Sequence, residues 1–306
     1  MTFLSLLAAL LADHAWPLRE DNRPLLWLRR CAIALEGAVN GGQYRHGALA
    51  WVLVVVPALA VTVAVQQLAD EFGWLAAMAW NVVVLYLTMG FRWIRTSFSG
   101  VERALRAGDL AGARDRLGKW RGASAAELSA GETARVAIEQ GLLAAHRHVF
   151  GPIAWFVVLG PAGVVLYRVS ALLPELWDSR NAPDLGIFGA FAARAFVLID
   201  WLPARVTAAS FAVAGDFADA VYCWRAQAAS WTPRAEGIIL ASGGGALGVR
   251  LGDALHQEGG LHYRPELGSG DTADVDHLQQ ALGLIWRALV LWLFLVFLVS
   301  LAHALG

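Results

Sequence analysis

At 306 residues, with 58% apolar and 16% charged side chains and a mean hydropathy of +0.52, the chain is too apolar for an ordinary soluble domain, whose charged share is about a quarter. A net charge of −1 with histidines neutral argues against the broad basic field of a nucleic-acid binder and against an acidic solvating tail. Cys31 and Cys223 stand far apart with no ligand spacing, so neither a disulfide framework nor a zinc site is indicated, and both read as small structural side chains.

The first stretch, Phe3 to Ala12, is apolar but lacks a basic segment before it and a small-residue cleavage site after it. It reads as a short hydrophobic helix rather than a removable leader, and it is too short to span a bilayer. Residues 13–47 are mixed and basic, with Arg19, Arg23, Arg29, Arg30 and Arg45, and are expected at the cytoplasmic surface. Ala48–Val65 is a first span, with Pro57 as a candidate kink. Gln66–Gly73 carries Asp70 and Glu71 but no lysine or arginine, which suits an outer loop, and Trp74–Phe91 returns to meet Arg92 and Arg95.

Residues 97–148 form the first polar region. Asp109 is placed to cap a helix, and Ser129 with Glu132 has the capping-box spacing, so a helix is expected from Glu132 to His146. The arginines of this region put it on the cytoplasmic side. His146-Arg147-His148 then leads into an apolar run from Val149 to Leu166, broken only by Gly151-Pro152 and Gly160-Pro161, long enough to cross hydrocarbon as one helix. Residues 167–183 are expected as an outward loop. Leu185–Leu202 is a further span or a surface-packed helix, with Arg194 and Asp200 inside the apolar run.

The second polar region, residues 203–284, opens on a helix expected over Ala204–Trp224. It includes a glycine-rich stretch, Ala241–Gly252, expected as a loop whose backbone amides, with Arg250, could cradle an anion; close helix packing is the competing reading. A last span covers Ala288–Ala304. Many of the 14 tryptophans, among them Trp51, Trp74, Trp93, Trp201 and Trp286, sit near the ends of apolar runs, as interfacial anchors do. The expected architecture is all-α: one membrane-embedded helical bundle with four or five spans, a short N-terminal helix and helical cytoplasmic regions at 97–148 and 203–284.

Several segments resemble, in order, the CobD/CbiB family of membrane proteins: RALRAGDLAGARDRL at 103–117, GPIAW at 151–155, PAGVVLYR at 161–168, IDWLPARVT at 199–207, GGALGVRLG at 244–252 and RPELGSGD at 264–271. The resemblance implies a late step of cobalamin biosynthesis, amide formation between adenosylcobyric acid and aminopropanol or its phosphate, with Mg²⁺ and ATP as cofactors if the chain is enzymatic. Its implied partners are the bilayer, a corrinoid, a phosphorylated amine and other membrane or cytoplasmic proteins, and its implied location is the bacterial inner membrane. Arg147 before GPIAW and the DWLPARV segment are also similar to AmpE, a related membrane modulator of β-lactamase induction.

Departures from the family pattern fall on carboxylates and amides. Leu143, Ala144 and Arg147 stand where the family has Glu-Asn-x-x-Asp, and Ala171-Leu172-Leu173-Pro174 where it has Asn-Thr-Leu-Asp. Phe196-Val197 replaces an Asp-Asp pair, and Thr232-Pro233-Arg234 a Ser-Pro-Asn segment. Amide formation needs oxygen ligands and a base, so the expectation is a catalytically degenerate member or one with relocated carboxylates. Glu139, Asp200 and Glu236 are the candidates for those. The ligand-binding candidates are Arg147, Arg168, Arg194, Arg205 and Arg250 with Gly243, Gly244, Gly245 and Gly248. No metal site is assigned, since His146 and His148 point apart on a helix.

Overall fold

The computed structural model describes residues 1–16, 23–178, 186–257 and 259–305. Arg19 and Leu185 lie outside the described residues. The helices are α1 (Thr2–Ala15), α2 (Arg23–Val39), α3 (Tyr44–Glu71), α4 (Trp74–Thr88), α5 (Phe91–Arg106), α6 (Leu110–Arg121), α7 (Ala130–Ala145), α8 (Gly151–Leu176), α9 (Ala190–Ala214), α10 (Phe217–Gln227), α11 (Arg234–Leu247) and α12 (Val275–Leu305). Five short strands lie between α11 and α12: β1 (Val249–Gly252), β2 (Leu255–Gln257), β3 (Gly260–His262), β4 (Glu266–Gly268) and β5 (Asp271–Thr272). Among the described residues, five helical segments are long and apolar enough to cross a membrane, and α1 is a shorter apolar helix. The all-α multi-pass reading therefore holds, with a small sheet element added.

Contacts sort the chain into two compact units. The first holds Met1–Gly90, Arg147–Pro203 and Val296–Gly306; the second holds Phe91–His146 and Ala204–Leu295. The two polar regions expected on one side of the bilayer thus fold with each other.

In the first unit, α3 runs on to Glu71 instead of giving way to a loop at Gln66, and it carries Pro57 in its interior. Its Val54 and Val55 pack with Val169 and Leu173 of α8, with Trp177 just beyond that helix, and with Phe188. Trp177 and Phe188 meet edge to face, with ring centroids 5.1 Å apart. Residues 167–176, expected as loop, are the end of α8.

The central apolar run is not one straight span. Gly160 (φ 62°, ψ −149°) interrupts α8, a backbone state open to glycine and closed to most other residues, and Pro161 removes the next N–H. The chain reverses there: a Cβ on Gly163 would collide with the Trp155 carbonyl, and one on Gly151 with the Tyr167 ring. Residues 151 and 167 would lie about 24 Å apart along a continuous helix. The mouth of this hairpin is closed by Arg168 Nη1, which donates to the Arg147 carbonyl at 3.2 Å, and by the Arg147–Glu175 ion pair at 3.1 Å.

In the second unit, α5 buries Phe91, Ile94, Phe98, Val101 and Leu105, an i, i+3, i+4 stripe that faces the unit's core. Asp109 caps α6 through the Gly112 amide at 2.8 Å, and the Ser129–Glu132 capping box starts α7, both as the sequence spacing indicates. The helix expected over Ala204–Trp224 is two helices. Gly215 ends α9 with its absent Cβ against Ala246, and the Asp216 side chain caps α10. β1 is central in its sheet, antiparallel to β4 and parallel to β5, while β2 and β3 form a separate hairpin.

Candidate functional site

The glycine-rich stretch lies in α11 and not in a loop. The backbone amides of Gly243, Gly244 and Gly245 are therefore committed to helical hydrogen bonds, and their missing side chains serve approach. A Cβ on Gly245 would sit 2.6 Å from the Asp219 carbonyl oxygen and 2.8 Å from the Ala220 Cα, and one on Gly244 2.9 Å from the Val249 carbonyl. The packing reading wins because α10 and the strands press on α11 through backbone atoms. Gly248 terminates α11 in the left-handed conformation (φ 67°) and turns the chain into β1.

That turn delivers Gly252 to Glu139. The Gly252 amide donates to Glu139 Oε1 at 2.8 Å, and Arg264 clasps the same carboxylate at 2.8 Å and 3.1 Å. Arg264 also donates to the carbonyls of Gly252 (2.8 Å) and Asp253 (3.1 Å), and its guanidinium lies 5.3 Å from the Trp231 ring centroid, a cation–π arrangement. Trp231 Nε1 lies 3.5 Å from Glu236 Oε2. Glu139 and Glu236 thus belong to one cluster, bridged by Arg264 and Trp231.

Arg135, one turn before Glu139 on α7, pairs with Asp253 at 3.2 Å and donates to the Ala254 carbonyl. Arg121, at the end of α6, faces the same group of charges. Burial lowers its pKa, the Arg264 charge lowers it further, and Glu139 acts in the opposite direction. Arg121 Nη1 and Arg135 Nε are buried donors without a hydrogen-bond partner. Both arginines stand near a carboxylate that Arg264 already neutralises.

The other candidates from sequence are distributed as follows. Asp200 is buried in the first unit and accepts from the Tyr167 hydroxyl at 2.9 Å. Arg147 and Arg168 close the α8 hairpin, and Arg194 lies 5.2 Å from the Tyr44 ring centroid, all in the first unit. Arg205 and Arg250 are in the second unit, where Arg250 lies 3.9 Å from Glu266. His146 Nδ1 is 2.9 Å from the Thr207 hydroxyl. Cys223 is fully buried and burial raises its thiol pKa, as a structural cysteine requires.

Sequence reasoning missed Arg264, Arg121, Arg135 and Trp231. Arg264 had a signal, an arginine directly before a proline in a glycine-bordered turn. In the sequence, Arg121 and Arg135 signal only the side of the membrane. Gln227 was also missed: its amide brackets Gly268, accepting from N at 2.6 Å and donating to O at 2.9 Å.

A family model described as CobD/Cbib protein matches residues 6–285. The chain belongs to the CobD/CbiB family. Two proteins called cobalamin biosynthesis protein CobD are 38% identical to it. The one from Stutzerimonas stutzeri aligns over 298 residues, 96% of each chain, and the one from Chromobacterium violaceum over 211 residues, 69% of this chain and 67% of the relative. A third of that name, from Citrobacter koseri, is 28% identical over 96% of each chain. No solved structure matches the chain. Within this CobD/CbiB chain, RPELGSGD supplies Arg264 and GGALGVRLG supplies the close-packed α11 and Gly252, so two of the resembling segments meet at Glu139.

Proposed function

We propose that this multi-pass protein of the bacterial inner membrane serves cobalamin biosynthesis by holding a phosphorylated amine, beside a corrinoid carboxylate, at the Arg121–Arg135–Glu139–Arg264 cluster. The observation that carries this reading is that two buried donors of the cluster, Arg121 Nη1 and Arg135 Nε, have no hydrogen-bond partner while Glu139 and Arg264 already form an ion pair. A phosphate monoester offers three acceptor oxygens and matches such donors. Arg264 acts as positioning residue: it fixes Glu139 and the Gly252–Asp253 backbone, and so the wall against which an anion would rest. The relatives' name, cobalamin biosynthesis protein CobD, supports a ligand of corrinoid chemistry.

The state of Glu139 favours binding over amide synthesis. Oε1 is engaged by an amide and Arg264, and Oε2 by Arg264. With both oxygens already held in this way, the carboxylate is not presented to an incoming amine as a base must be. Glu236 and Asp200 remain the carboxylates for a synthase reading, in which Mg²⁺ and ATP would assist the carboxylate's activation.

The test uses the full chain in lipid nanodiscs. Adenosylcobyric acid and aminopropanol phosphate are offered with and without Mg²⁺ and ATP, while binding is followed by calorimetry and product by mass spectrometry. Saturable binding of the phosphorylated amine, weakened about tenfold or more in Arg121→Gln, with little or no amide product, is the expected result. Steady product formation would establish the synthase. Absence of binding by either ligand would refute the proposal and leave an AmpE-like signalling or scaffold role.

A further inference from the structure

Asp253 follows β1 directly and sits between two anchored neighbours, for the Gly252 amide is held by Glu139 and Leu255 is buried. Among the described residues it is the one non-glycine residue with positive φ, 60°, a backbone state that aspartate tolerates and most side chains avoid. Such outliers persist where the surrounding structure enforces them, and they gather at ligand clamps and switches. Here the enforcement is visible. The Asp253 amide donates to the Pro265 carbonyl at 3.2 Å, its carbonyl accepts from Arg264 Nε at 3.1 Å, and its Oδ1 accepts from the Ala254 amide at 2.7 Å.

Held in this way, Asp253 turns its second carboxylate oxygen, Oδ2, to Arg135 Nη1 at 3.2 Å. The contact is of a replaceable kind. It uses one oxygen, and it is longer than the about 2.7–2.9 Å usual between a charged N–H and a carboxylate. The Asp253 side chain is 59% exposed, so on leaving it regains water at little cost. Glu139 differs in each respect: its side chain is 7% exposed, and it accepts from the Gly252 amide and twice from Arg264. Of these two carboxylates, Asp253 is the one that can yield. Arg135 itself would stay in place, because its side chain is 13% exposed and its Nη2 donates to the Ala254 carbonyl.

We infer, on the reading of the Arg121–Arg135 cluster as a phosphate site, that Asp253 is an internal competitor for that site, its carboxylate occupying Arg135 until a phosphate monoester displaces it. A phosphate monoester brings close to two negative charges and three acceptor oxygens, so it can engage Arg121 and Arg135 together, where Asp253 Oδ2 engages Arg135. The contact therefore sets the threshold of affinity that a ligand must exceed, and it acts within the second unit, which holds all three residues.

The experiment is calorimetric titration of the full chain in nanodiscs with inorganic phosphate and, separately, with aminopropanol phosphate. Wild type is compared with Asp253→Asn and Asp253→Gly, two variants that lack the carboxylate and whose new residues both accept the left-handed backbone; thermal midpoints report that each is folded. Both are expected to bind each probe about fivefold more tightly than wild type, the scale of one exposed ion pair. In an Arg135→Gln background the same substitutions are expected to give no gain, because the contested donor is gone. If wild type binds and the Asp253 variants bind equally or more weakly, the inference is overturned while the phosphate site stands. An equal gain in the Arg135→Gln background traces the effect to net charge and overturns it as well. Failure of wild type and both variants to bind either probe overturns the inference together with the phosphate reading.

Discussion

Glu139 and Arg264, 125 residues apart, meet as a two-pronged ion pair of 2.8 and 3.1 Å, and the same carboxylate holds the Gly252 amide. One side chain of α7 thereby fixes both the start and the return of the segment between α11 and α12. Because Glu139 is 6% exposed, removing one partner strands a charge. Arg264→Ala should lower stability by about 3 kcal/mol or more. Glu139→Gln should cost less, since its amide keeps an acceptor for Gly252. Thermal unfolding in detergent checks the order; equal, small losses for both would show that the pair is not a clamp.

Gly244 and Gly245 face backbone atoms, whereas Gly243 faces the tip of Leu142, whose Cδ1 would be 2.7 Å from an added Cβ. Alanine is the better helix former by about 1 kcal/mol, but backbone cannot yield as a leucine methyl can. Gly245→Ala and Gly244→Ala are therefore expected to destabilise by about 1–3 kcal/mol, and Gly243→Ala to be near neutral. Yield and midpoint of detergent-purified variants report this, and a uniform gain across the three would contradict the packing account.

Tyr167 hydroxyl and Asp200 carboxylate lie 2.9 Å apart in the buried interior of the first unit. Tyr167→Phe deletes one donor to that carboxylate at nearly constant shape, with an expected cost of about 1–3 kcal/mol. If Asp200 drew its stabilisation wholly from other neighbours, the variant would unfold at the wild-type temperature.

Asp274 caps α12, accepting from the amides of Asp276 (2.9 Å) and His277 (3.1 Å) and from the His277 ring (2.6 Å). Burial pushes its pKa up, but the hydrogen bonds and charge of His277 outweigh this and hold it below the ordinary value. A depressed carboxylate stabilises the fold fully above the unfolded value of about 3.9. That stability is lost as pH falls through the lower folded value. Asp274→Ala should cost about 1 kcal/mol at neutral pH. The gap between variant and wild type should narrow as pH falls below about 4, where Asp274 takes up its proton. A gap that persists undiminished below that range would refute the assignment.

The membrane class, the apolar helices and the two capping motifs were legible because each depends on local composition or on spacing within one turn. Asp109 and Ser129 act where they stand, so neighbours a few residues away suffice to read them. The reversal at Gly160 was not legible, although its Gly-Pro pair was noted. An apolar run looks the same whether it continues or folds back, and only the meeting of Gly151 with Tyr167 distinguishes the two. The glycine-rich stretch was ambiguous for a related reason: glycine permits both an anion loop and close helix packing, and the choice falls to residues such as Asp219 and Val249 elsewhere in the chain. Arg121 and Arg264 gain meaning only from Glu139, more than a dozen residues from either.

The fold-back at Gly160 also bears on how the protein responds to its lipid surroundings. The arm from Gly151 to Leu159 rises about 13 Å, less than half the thickness of a typical hydrocarbon layer, so its tip is referenced to a single leaflet. Thicker bilayers would oblige α3 to change its tilt while leaving the depth of that tip unaltered, and the strain of mismatch would concentrate where α3 and the return arm share Val54, Val55 and Val169.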